Sequence, residues 1–148
     1  MPVNVHIPWR YRSALFLLIA VSWITGILYF VLKQWFDVED EFGMSPHPWL
    51  PTLLKIHAAA AFLGMIAYGF MLGTHVPAGW RLKRLRKLGL TLVIAQGLLI
   101  LSGYLLYYMA NYRDIIAYVH AGVGLLFPML LGAHIWAGVR ERGKMIQA

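Results

Sequence analysis

Four histidines, His57, His75, His120 and His134, stand inside long runs that contain no Lys, Arg, Asp or Glu. Neutral imidazole is the commonest metal ligand and carries protons near neutral pH. An ionisable group in so apolar a setting is a functional candidate by default. The spacing narrows the chemistry. His57 and His75 are 18 residues apart, which on a helix is a whole number of turns, so both lie on one face. His120 and His134 are 14 residues apart, which places them within about 40° of each other. At helical rise the two separations are roughly 27 Å and 21 Å, too far for one metal ion to bridge. A single His-rich zinc or copper cluster is therefore not expected. The chain has no cysteine, so a thiolate site, a disulfide and covalent haem attachment through Cys-x-x-Cys-His are excluded as well.

The elements that carry these histidines follow from charge. Only 13% of the 148 residues are charged and 60% are hydrophobic. The windows 13–32, 56–80, 88–112 and 115–139 hold no Lys, Arg, Asp or Glu. Each is long enough for a bilayer core, which takes about 20 apolar residues per helix. A soluble enzyme and a disordered tail are excluded. The expected fold class is all-α, a four-helix transmembrane bundle in a single integral membrane domain, residues 1–148. Its spans are about 13–32, 52–75, 88–110 and 115–139. The first run is expected to be retained, because Lys33-Gln34-Trp35 follows it with no small-residue cleavage site. Pro77 is expected to end the second span just after His75, and Pro128 to kink the fourth. No internal repeat is evident.

The basic residues are placed asymmetrically. Arg10 and Arg12 precede the first span, Arg81, Lys83, Arg84, Arg86 and Lys87 join the second to the third, and Arg140, Arg142 and Lys144 follow the fourth. Asp37, Glu39, Asp40 and Glu41 lie on the other side. The positive-inside rule puts both termini in the cytoplasm. The net charge of +7 then reads as topology, with membrane lipid as partner and no nucleic acid. The expected location is a bacterial inner (cytoplasmic) membrane, crossed several times.

In this topology the second and fourth spans run the same way. His57 and His120 share the outer level, and His75 and His134 the inner one. Two imidazoles per level suit a metal whose other positions are already filled. Haem iron, with four porphyrin nitrogens and two axial ligands, fits. The expected pairs are His57–His120 and His75–His134. The unequal spacings leave about 6 Å of axial mismatch, and His6 competes with His75 for the inner site. Gly64, Gly124 and Phe127 are candidates for haem packing, since small residues let a flat macrocycle lie between helices. Arg12, Arg81 and Arg140 are propionate candidates at the inner level, and Lys55 and Arg113 at the outer one. The tyrosines at 29, 104, 107, 108, 112 and 118 read as an interface belt bordering the outer half. His47 reads as a loop residue.

The segments "VHAGVGLLFPMLLGAHIWAGV" and "LLKIHAAAAFLG" resemble the bacterial di-haem b-type cytochromes. That group includes the membrane subunits of nickel–iron hydrogenases and formate dehydrogenases, and the four-helix superoxide oxidases. The resemblance implies two non-covalent haem b groups and electron transfer, with a quinone as a possible further ligand. Partners would be other subunits of a redox complex or a soluble electron carrier. In that family a ligand comes from the start of the first helix. Here the corresponding "WRYRSALFLL" has no histidine nearer than His6, and His75 takes its place. Two helices with two histidines each is similar to the cytochrome b of quinol–cytochrome c reductases. Two further functions stay open: a stand-alone superoxide or quinol oxidoreductase, and a haem-free membrane anchor or small transporter. Whether the chain is itself an enzyme is not decided by the residues.

Overall fold

In lipid every backbone N–H and C=O must be satisfied within the segment, so long apolar runs become helices. The protein was analysed as a computed structural model, which describes residues 8–41 and 43–146. His6 lies outside the described residues. The helices are α1 (Trp9–Trp35), α2 (Leu50–Gly73), α3 (His75–Arg81), α4 (Arg86–Tyr108) and α5 (Arg113–Ile146). A short hairpin, β1 (Val38–Asp40) and β2 (Gly43–Ser45), joins α1 to α2. Among the described residues the fold is all-α in class, 83% helical, and four helices are long and apolar enough to cross a membrane. The spans expected from charge are extended at most ends. Charge marks where lipid stops, whereas the helix continues into the interface, where Trp9, Trp35, Trp80 and Trp136 lie exposed.

The second span is different. α2 stops at Gly73, and His75 opens a separate short helix after Thr74. Pro77 does not end a helix after His75; it sits in the first turn of α3. Its ring crowds the carbonyl four residues earlier and gives that carbonyl no N–H, which breaks the helix at Gly73. In a first turn the missing N–H costs nothing. Pro128 lies inside α5, which continues through it.

The described residues form two units, divided between Gly69 and Phe70. In the first, α1 and α2 are antiparallel neighbours. The Tyr11 hydroxyl donates to the Ala67 carbonyl near one end, and Ser22 meets His57 further along. The hairpin pairs Val38 with Ser45, Glu39 with Met44 and Asp40 with Gly43. Gly43 has φ 112°, open only to glycine. His47 forms the turn leading into α2: its carbonyl accepts from Leu50 N–H at 3.0 Å and its Nδ1 from Trp49 N–H at 3.2 Å.

In the second unit α4 packs antiparallel on α5. A Cβ added at Gly103 would meet His120 at 3.5 Å, at Gly124 Leu99 at 3.7 Å, at Gly89 His134 at 3.7 Å, and at Gly138 Leu85 at 3.6 Å. At each level a glycine of one helix receives a side chain of the other. Small residues permit this close approach of membrane helices. The tight loop between α3 and α4 is tied down by Arg86, which donates to the Trp80 carbonyl at 3.0 and 2.7 Å. Arg84 pairs with Glu141 of α5 at 3.4 Å, so this loop lies at the C-terminal end of α5. Its tightness shows in two non-glycine residues with left-handed backbone, Lys83 (φ 54°) and Leu85 (φ 46°).

Left-handed backbone costs a residue with a Cβ about 1–2 kcal/mol. We predict that Lys83→Gly, at this exposed position, raises stability by about 0.5–1 kcal/mol once the entropy of glycine is counted. A thermal melt in detergent checks it. A lower melting temperature would mean that the loop is not strained at Lys83.

Candidate metal-ligand site

Two buried polar residues stand out among the described ones: Thr25 on α1 and Ser102 on α4, each 8% exposed. Each touches the Nδ1 of a histidine. A buried hydroxyl must be satisfied, and both donate to the carbonyl four residues earlier, Thr25 to Val21 and Ser102 to Leu98, each at 2.6 Å. With its hydrogen so committed, Ser102 Oγ offers a lone pair to His120. The His120 Nδ1–H donates to it at 2.8 Å. His57 Nδ1–H donates to the Ser22 carbonyl at 2.8 Å, with Thr25 Oγ1 at 3.4 Å. The His57 bond, to a carbonyl, requires hydrogen on Nδ1 and the lone pair on Nε2; with the Ser102 hydrogen on the Leu98 carbonyl, the His120 bond takes the same tautomer. Metal-bound histidines are held in this way: one ring nitrogen ligates while the other gives its N–H to a carbonyl or similar acceptor.

Next to each hydroxyl is a glycine. The His57 ring lies against Gly26, where an added Cβ would meet it at 3.1 and 3.2 Å. The His120 ring lies against Gly103 in the same manner, at 3.5 Å. So Thr25-Gly26 on α1 and Ser102-Gly103 on α4 form equivalent seats, each within its own unit. His57 is the eighth residue of α2 and His120 the eighth of α5. The sequence reading named neither hydroxyl and neither glycine. The signal was available as a Ser/Thr-Gly pair on the helix preceding each histidine-bearing one.

A repeat runs along the second unit as well. Leu99 and Gly103 on α4 face Gly124 and His120 on α5, while Leu85 and Gly89 face Gly138 and His134. The second set is the first moved by 14 residues on both helices. The absence of an internal repeat, expected from the sequence, is thus corrected: His-x-x-x-Gly occurs twice on α5 and Leu-x-x-x-Gly twice on or at the start of α4. The sets differ beside the glycine, where Ser102 corresponds to Leu88.

His75 and His134 come together. Their ring centres are 6.2 Å apart with the planes at 75°. One residue, Thr74, with φ −121° and ψ −65°, interrupts the helix just before His75. Two imidazoles on opposite sides of one metal, each nitrogen about 2 Å from it, would have ring centres about 6 Å apart. Among the described residues no three His, Cys, Asp or Glu side chains gather to hold a metal ion by themselves. His57 belongs to the first unit, and His75, His120 and His134 to the second.

The other expected residues are distributed as follows. Phe127 is buried on α5, at 9% exposure. Gly124 packs on Leu99, whereas a Cβ at Gly64 would meet nothing within 4 Å. Arg12 and Arg140 lay their guanidinium groups over Trp9 and Trp136, at 5.0 and 5.4 Å from the ring centres. Arg81, Lys55 and Arg113 are exposed. Tyr104, Tyr107 and Tyr108 form an exposed aromatic cluster at the end of α4, in keeping with an interface belt. Comparison with protein-family models, curated proteins and solved structures finds no match.

The contact distances at the two seats give a prediction. At Gly26 a methyl group would press on the His57 ring, whereas at Gly103 it would make ordinary contact with His120. Gly26→Ala is therefore expected to be less stable than Gly103→Ala by at least about 1 kcal/mol, the lower end of overpacking costs. Parallel thermal melts measure the difference. Equal melting temperatures would show that the His57 ring does not rest on Gly26.

Proposed function

We propose that this chain is a di-haem b-type cytochrome of a bacterial cytoplasmic membrane, with both termini on the cytoplasmic side. It passes electrons across the bilayer, between a quinone or protein on one side and a redox partner on the other. The observation that carries the reading is the His75–His134 pair, at the spacing of two axial imidazoles. Supporting it, the hydrogen bonds of His57 and His120 put their lone pairs on Nε2, the state a ligand must have.

In this reading His75 and His134 would hold one haem b, and His57 and His120 are the candidate ligands for the other. The bound group supplies a one-electron iron couple. The residues of the chain supply ligands, fix their tautomers and exclude water with apolar helices. With two histidines each, the bound groups would have their positions filled, which would suit electron transfer better than oxygen activation. Arg12, Arg81 and Arg140 on the basic side, and Lys55 and Arg113 on the other, are the side chains available to the propionates. The positions of the basic residues support the orientation. Other subunits of a redox complex or a soluble carrier are the partners this function requires.

One observation favours a second reading. The same spacing, with planes near perpendicular, also suits an edge-to-face contact between rings with nothing between them. The protein would then be a haem-free anchor or small transporter.

The pyridine haemochrome spectrum of protein purified in mild detergent separates the two. Two b haems per chain are expected, His134→Ala is expected to retain one, and His120→Ala to retain the other. A colourless protein, produced with ample haem, would overturn the cytochrome reading. Full haem content in His134→Ala would overturn the pairing with His75.

A further inference from the structure

The two histidines of α5 rest on α4 in matching seats, and one residue separates them. We propose that Ser102 is a positioning residue that sets the haem of His120 at a lower reduction potential than the haem of His134. The proposal rests on the cytochrome reading and deepens it.

The matching is close. His120 lies against Gly103 and His134 against Gly89, with Leu99–Gly124 and Leu85–Gly138 one turn away in each case. The repeat of 14 residues puts Ser102 where the other seat has Leu88. Ser102 is buried, and its own hydrogen is committed to the Leu98 carbonyl, so towards His120 it acts as an acceptor. Leucine has no acceptor to offer. The Nδ1 of His134 is buried and has no hydrogen-bond partner among the described residues.

The consequence is electronic. An axial imidazole that gives its N–H to an acceptor becomes a more basic ligand. A more basic ligand favours ferric over ferrous iron, and hydrogen bonding around the ligands is one of the protein's controls on haem potential. His57 carries the same kind of bond, to the Ser22 carbonyl. His120 and His134, on one helix, therefore differ at Nδ1: the first is hydrogen-bonded there and the second is not. The couple concerned is the one-electron ferric/ferrous change of each iron, and no bond is made or broken by Ser102.

The test is a redox titration of the purified full chain, following the haem absorption, for the wild type, Ser102→Ala and Ser102→Thr. The nitrogen-15 spectrum of the histidines in reduced protein is recorded beside it. In the wild type two midpoints are expected. In Ser102→Ala the lower midpoint should rise, with the ferrous/ferric ratio at fixed potential up by about tenfold, or about 59 mV for a one-electron couple. The higher midpoint should stay in place. Ser102→Thr keeps an acceptor and should restore the wild-type value, and the His120 Nδ1–H resonance should lose its hydrogen-bonded shift only in Ser102→Ala, the proton itself staying on Nδ1. Unchanged midpoints in a fully loaded Ser102→Ala protein would overturn the proposal. Should Ser102→Ala fail to hold haem, a His120 Nδ1–H that keeps its hydrogen-bonded shift in the haem-free chain would overturn it too. A wild-type chain that takes up no haem overturns the cytochrome reading and the potential effect with it. The nitrogen-15 spectrum then still reports whether Ser102 holds the His120 tautomer.

Discussion

A histidine ring laid against a glycine of the neighbouring helix is the contact on which the rest depends. At Gly26, Gly89 and Gly103 the missing Cβ makes room for an imidazole edge. Where a serine or threonine precedes the glycine, a hydrogen-bond acceptor stands beside the ring. Apolar helices in lipid gain little from association by hydrophobicity alone, so close packing and buried hydrogen bonds must hold them. The histidines therefore act as packing residues between helices and as candidate ligands at once. Removing one would be felt in both roles.

Much of this was legible in the sequence. The four spans follow from where Lys, Arg, Asp and Glu stop, because no other segment can bury so many backbone groups without water. The four histidines were conspicuous for the same reason. What escaped the sequence reading acts at a distance along or between helices. Pro77 breaks the helix four residues upstream of itself, so the boundary falls at Gly73 rather than after His75. Ser102 and Thr25 look like ordinary small polar residues of a membrane helix. Their meaning appears only once a second helix brings a histidine to them. The 14-residue repeat on α5 was written in the sequence, yet its counterpart on α4 consists of leucine and glycine, which carry no signal until the two are aligned.

The break after Gly73 changes what the second span can do. A continuous helix would have tied the azimuth and height of His75 to those of every residue before it. A separate α3 gives His75 its own setting, anchored through the loop that Arg86 and Trp80 close.

The 14-residue interval has one more consequence. It is two heptads, the period at which one seam of a helix keeps facing its partner when the pair winds with a left-handed twist. Each added or lost residue would turn one seat by about 100° away from the other helix. The stretch between Gly89 and Gly103, and the matching one between His120 and His134, can therefore change length only by near-whole numbers of turns, taken on both helices together. Sequence drift in this protein is free to change letters between the seats, but not to change their number.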